Sequence, residues 1–82
     1  MADSDFIEIQ VECYSGFKAN ERPSAFTFQG MRREILEILD RWYEGGVQSS
    51  RPVINYFKVK DADGNVYLLR YQPESDQWSL YL

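Results

Sequence analysis

Residues 55–72, NYFKVKDADGNVYLLRYQ, leave this chain less conformational choice than any other stretch. Asp63-Gly64 and Gly64-Asn65 are turn dipeptides, because glycine takes positive φ without steric cost and Asp or Asn tolerates it. On one side lie Tyr56, Phe57 and Val59, on the other Val66, Tyr67, Leu68, Leu69 and Tyr71. These β-branched and aromatic types suit a pleated surface, so the segment reads as a hairpin. With Asp63-Gly64 as a two-residue loop, Lys60 lies opposite Tyr67, Lys58 opposite Leu69 and Tyr56 opposite Tyr71, and opposed residues share a face. That register gives a core face of Phe57, Val59, Val66, Leu68 and Arg70. It gives a second face, aromatic and basic, of Tyr56, Lys58, Lys60, Tyr67, Leu69 and Tyr71. A loop one residue different in length exchanges the two sets.

A third arm, residues 77–82, follows the turn residues Pro73, Glu74, Ser75 and Asp76. Its alternation sets Trp78, Leu80 and Leu82 against Ser79 and Tyr81. The expected solution places Trp78 on the Val59/Leu68 face with Arg70 beside its ring. Near the start, Phe6 to Tyr14 alternates strictly: Ile7, Ile9, Val11 and Cys13 one way, Glu8, Gln10 and Glu12 the other. Period two with this composition is a half-buried strand. Cys13 falls in the apolar set and reads as a small buried hydrophobe, since the chain has no histidine to activate a thiol.

Between these strands the chain is harder to read. SGFKANERPS (15–24) is a long connection punctuated by Gly16, Asn20 and Pro23, and such loops often carry binding groups. Phe17, Lys18 and Arg22 are candidate contacts there; the plainer reading has Phe17 plugging the core and the charges solvated. Residues 25–28 form a short strand before a tight turn at Gln29-Gly30. In MRREILEILDRWYEGG, Met31, Ile35, Ile38, Leu39 and Trp42 match helical spacing. The ends oppose a helix: Arg32 and Arg33 would sit at its positive N-terminus, Glu44 at its negative C-terminus, and Gln29-Gly30 offers no good cap. A strand would pair Phe28 with Met31, Phe26 with Arg33 and Ser24 with Ile35. It needs a bulge near Leu36-Glu37 to bring Ile38 and Trp42 inward. Residues 45–53, GGVQSSRPV, are a polar loop leading into the hairpin.

Eighty-two residues make one domain, 6–82 after a short tail at 1–5. A single cysteine excludes an internal disulfide or a cysteine-rich metal cluster. MADSDF lacks the basic start and apolar core of a signal peptide, and no apolar run reaches membrane-spanning length, so a cytoplasmic location is expected. Net charge is −4, and Asp3, Asp5, Glu8 and Glu12 hold all of that excess; from residue 18 on, acids and bases balance. A nucleic-acid binder usually shows a basic excess. Without histidine the usual neutral-pH proton shuttle and metal ligand is missing, and no nucleophile sits in an activating motif. Asp61-Ala62-Asp63-Gly64-Asn65 resembles part of a calcium loop but lacks its terminal bidentate glutamate. No cofactor is implied, and enzyme activity is not expected.

GFKANERPSAFTFQG, EILDRW, YFKVKDADGNVYLLRY and DQW together resemble a family of short bacterial proteins of unknown function. In that family an Arg-Pro-x-x-Phe stretch and a Gly turn precede a segment ending in Leu-x-x-Trp. A Tyr-Phe/Trp-x-Val strand, an Asp-Gly turn and a Tyr-x-Leu strand follow. The resemblance covers about residues 14–80 and carries no catalytic residues. Similar sequences often have an aromatic residue at the position of Arg33 and valine at that of Ile35, which implies a strand before Trp42. Some relatives resemble proteins encoded beside DNA-damage-tolerance genes.

The fold expected is mainly β: six strands near 6–14, 24–29, 31–43, 54–61, 65–72 and 77–81, forming one curled antiparallel sheet or small open barrel with Trp42 and Trp78 in or near the core. The alternative is α+β, with 31–44 helical against the sheet. Two binding functions fit. One is a protein-interaction module in which an aromatic face of Tyr56, Tyr67, Tyr71 and Tyr81, or an open sheet edge, meets a protein partner or a second copy. The other is a single-stranded nucleic-acid binder in which Lys58, Lys60 and Arg70 interleave with those tyrosines. Against both, the tyrosines cover a second layer of core and the lysines only solubilise.

Overall fold

A computed structural model describes residues 5–14, 22–46 and 51–82. Their elements are six strands: β1 (Phe6–Cys13), β2 (Pro23–Phe28), β3 (Met31–Glu44), β4 (Ile54–Asp61), β5 (Val66–Gln72) and β6 (Gln77–Tyr81). Each strand pairs antiparallel with its neighbour in sequence, and β1 pairs with β6, so the sheet closes into a barrel. Closure pairs the first strand with the last, whose outer edges an open sheet would leave free. The helical alternative for 31–44 is overturned, and the barrel is closed rather than open.

Two strands hold the ring together by changing partners along their length. β1 pairs β6 through Phe6–Ile9 and β2 through Gln10–Cys13. β3 pairs β2 through Met31–Glu34 and β4 through Ile35–Glu44. The expected pairs Phe28↔Met31 and Phe26↔Arg33 are present. The bulge expected near Leu36-Glu37 is present too, and a second follows it. Ile35 pairs Asp61 and Glu37 pairs Lys60, leaving Leu36 without a partner; Ile38 pairs Val59 and Asp40 pairs Lys58, leaving Leu39 without one. Extra residues of this kind bend and twist a strand, which a six-stranded ring requires.

The core is built from alternate residues of every strand. Phe26, Phe57, Val59 and Leu69 are fully buried, with Ile9, Ile35, Tyr71, Trp78 and Leu80 around them. Phe57 and Trp78 lie in contact, ring centroids 5.4 Å apart. Burying a side chain such as Phe57 stabilises by about 1.5–3 kcal/mol. Cys13 is half-buried against this core, in the apolar set that the alternation of β1 defines. Trp42 is not part of it. It faces outward from β3 and stacks on Tyr56, 5.4 Å away at 11°.

That stack belongs to a second apolar layer outside the barrel wall. Tyr56 is buried beneath Trp42 and lies 6.4 Å from the Phe6 ring, and Phe6 in turn meets Tyr81 at 5.3 Å. The Arg70 guanidinium sits 4.0 Å over Phe6, a desolvated cation–π contact. Sequence reading placed Arg70 beside Trp78. It lies instead on the opposite side of the sheet from that ring. Leu82, expected on the core side, is largely exposed.

Candidate functional site

The turn between β4 and β5 decides which side chains reach the surface. Asp61 is its anchor: its Oδ1 accepts N–H bonds from Asp63 (3.0 Å) and Asn65 (2.8 Å). Its own N–H donates to the Asn65 carbonyl (2.9 Å), and Gly64 N–H returns to the Asp61 carbonyl (3.1 Å). Gly64 supplies the positive φ, 86°. A carboxylate bonding backbone two and four residues on competes with a two-residue turn and wins here. The loop therefore spans Asp61–Asn65, and the closing pair is Lys60↔Val66.

This register is one residue from the expected one, and it divides the predicted binding face. Lys58 opposes Leu68, Phe57 opposes Leu69 and Tyr56 opposes Arg70. Tyr67 and Tyr71 turn inward. Tyr67 meets Phe26 edge-on at 5.1 Å, and Tyr71 packs 4.9 Å from Trp78 while its hydroxyl donates to Asp76 Oδ1 at 2.8 Å. Tyr56, Lys58, Lys60 and Tyr81 face outward, but Tyr56 is buried in the outer layer. Burial, with a smaller contribution from a hydrogen bond to the Glu44 carboxylate, pushes its phenol above the ordinary value. The platform of four tyrosines and two lysines is not assembled. Val66 and Leu68, expected in the core, line the outside.

Of the predicted loop contacts, Phe17 and Lys18 lie outside the described residues. Arg22 closes the β1–β2 connection: its carbonyl accepts the Tyr14 N–H at 3.1 Å, and its guanidinium lies 5.5 Å over the Tyr14 ring.

What the outer wall of β3–β5 does present is a pair of charged columns with apolar shoulders. Glu37 lies directly across from Lys60, and Asp40 from Lys58. All four are exposed. Beside the acids, the two bulges push Leu36 (67% exposed) and Leu39 (41%) into solvent; beside the lysines stand Val66 (51%) and half-buried Leu68. Sequence reading missed the leucines because it assigned Leu39 to an apolar stripe.

Two polar arrangements nearby are structural. Arg32 reaches from β3 to β1, bonding Glu12 at 2.7 and 3.2 Å and Glu34 at 3.3 Å. It spans Ala25, which lies in register between those glutamates and is fully covered. Its bonds hold the Glu12 carboxyl below its ordinary pKa. At the barrel mouth, Arg33 faces inward 5.8 Å over the Tyr67 ring and 4.0 Å from Asp61 Oδ2. Burial raises the Asp61 pKa, but the N–H groups of Asn65 and Asp63 and the side chains of Asn65 and Tyr67 outweigh it and hold the carboxyl below the ordinary value. A cavity of about 250 Å³ borders this pair and Arg32, yet Arg33 Nε and Asp61 Oδ2 are both sealed from solvent. The pair bridges the mouth from β3 to the β4–β5 turn. N–H groups converging on Asp61 also oppose a cation there, and no cluster of metal-ligating side chains occurs among the described residues.

At the other end, Pro52, Val53, Ile54, Gln72, Glu74 and Ser75 line a largely apolar groove of about 260 Å³. It carries no cluster of ionisable groups that would define a chemistry. No protein-family model, curated protein or solved structure matches the chain significantly.

Proposed function

We propose that this domain is a non-enzymatic protein-interaction module and that its contact surface is the outer wall of β3–β5. The observation that carries the reading is the exposure of Leu36 and Leu39 at two bulges of one strand, within a ring whose remaining leucines on that wall and in the core are at least half-covered. Exposed apolar groups clustered beside a polar rim mark association surfaces. A nucleic-acid surface is less favoured: each lysine of the wall faces a carboxylate, and of the four tyrosines that would stack bases Tyr67 and Tyr71 point into the core and Tyr56 lies under Trp42, leaving only Tyr81 outward and exposed. The lack of histidine and of an activated nucleophile supports a binding role.

Site-specific photocrosslinking in cells tests this. A photoreactive residue at position 36, 39 or 66 is expected to form discrete adducts, and the same residue at Gln10 or Glu74, on other surfaces, is expected to form none. Equal labelling at all five positions, or none at 36 and 39, overturns the assignment.

A further inference from the structure

Resting on that reading of the wall, we propose that its occupant is a second copy of this chain, docked about a two-fold axis parallel to β3 and β4. The charge pattern selects both partner and orientation. Acids stand in one column, Glu37 and Asp40 on β3; bases stand in the next, Lys60 and Lys58 on β4, each level with its acid. Rotation about an axis running along the strands, between the columns, exchanges left for right and preserves height. Each Glu37 then meets Lys60 of the second copy, and each Asp40 meets Lys58. An axis running across the strands would set acid on acid and lysine on lysine, so the columns discriminate against it. The interface is isologous, the commonest kind for a homodimer.

The apolar shoulders obey the same operation. Val66 and Leu68 lie one strand beyond the lysines, so the rotation brings them beside Leu36 and Leu39 of the second copy. The aliphatic stems of Lys58 and Lys60 fill the space between them. Three strands about 5 Å apart, with a rise of about 3.3 Å per residue, make a small patch. It falls short of the roughly 800 Å² per partner of a stable interface. The dimer is therefore weak, populated at high micromolar concentration and weakened by salt, which screens exposed charges.

Sedimentation equilibrium from micromolar to millimolar protein, at low and high salt, reads the association directly. The wild-type mass is expected to rise toward that of a dimer at low salt. Two charge-reversed proteins, one Lys58→Glu with Lys60→Glu and one Glu37→Lys with Asp40→Lys, carry faces of a single sign; each alone is expected to stay monomeric, and their equimolar mixture to regain the dimer. Circular dichroism verifies that each is folded, and the wild-type series needs no variant. A monomer throughout the wild-type series overturns the proposal, as does a mixture no more associated than its components. A monomeric wild type whose positions 36 and 39 crosslink a different protein overturns the second copy while the interaction face stands; no adducts at those positions overturns both.

Discussion

Replacing Asp61 should separate the turn from the barrel it closes. Asp61→Ala removes a buried carboxylate that accepts two backbone N–H bonds and faces the Arg33 guanidinium. Hydrogen bonds to a charged group contribute about 1.5–3 kcal/mol each. Asp63 and Asn65 are exposed, so water recovers part of that loss. The net expectation is about 2 kcal/mol, much of it the desolvated N–H groups and the arginine left behind. For a domain of this size that lowers Tm by about 8–16 °C. Asp61→Asn keeps an oxygen acceptor in the same place and should cost only about 1 kcal/mol. The pH dependence identifies the charge. A carboxyl held below its unfolded pKa, about 3.9, contributes stability above that value and loses it as pH falls through the folded pKa. Urea unfolding followed by Trp fluorescence should therefore show wild type and Asp61→Asn separated by a constant amount from pH 7 to about 5, with the gap narrowing below about 4. An alanine variant within about 0.5 kcal/mol of wild type, or a gap unchanged at low pH, would refute the argument that Asp61 sets the turn.

Gly45 holds φ +81°, and a Cβ there would lie 2.2 Å from the Pro52 carbonyl oxygen. Gly45→Ala is expected to cost at least about 1–2 kcal/mol in urea unfolding, because neither the backbone nor that carbonyl can yield cheaply. Tyr56, its phenol pushed up by burial and by Glu44, should contribute a step above the ordinary tyrosine range in a spectrophotometric titration, and Tyr56→Phe should abolish that step. Stability from its neutral form is present below the ordinary tyrosine value near 10 and is lost as pH rises through the raised one.

Most of the architecture was legible because the strands alternate cleanly. β1, β4, β5 and β6 each show two-residue periodicity in hydrophobic or aromatic residues, and their bounds fall within a residue of those read from sequence. The face assignment failed at one point. Two turn signals overlap in Asp61-Ala62-Asp63-Gly64-Asn65: Asp-Gly favours a two-residue loop, and Asp61 as an acceptor for Asp63 and Asn65 favours a longer one. Composition carries both, and only the hydrogen bonds choose between them. With a side-chain period of two, that single residue moved Tyr67 and Tyr71 into the core and Val66, Leu68 and Arg70 out of it. Arg70 shows why hydrophobicity gave no warning: it is buried on the outer layer against Phe6, where an arginine serves as an aromatic contact.

The helix-like spacing of β3 has a related origin, and it leads back to function. Without Leu36 and Leu39, residues 35–44 alternate without fault: Ile35, Ile38, Arg41 and Tyr43 on the Val59 side, Glu37, Asp40, Trp42 and Glu44 on the other. Two inserted residues, three apart, stretch a period of two into a local period of three, and a period of three beside Ile35 and Ile38 is what an amphipathic helix also displays. The insertions supply curvature, which any side chain at those positions would supply equally. Leucine is the costly choice there, since a lysine or a threonine would bulge the strand without setting apolar surface in water. The backbone thus accounts for two extra residues in β3, and the proposed partner on the outer wall would account for their being leucines.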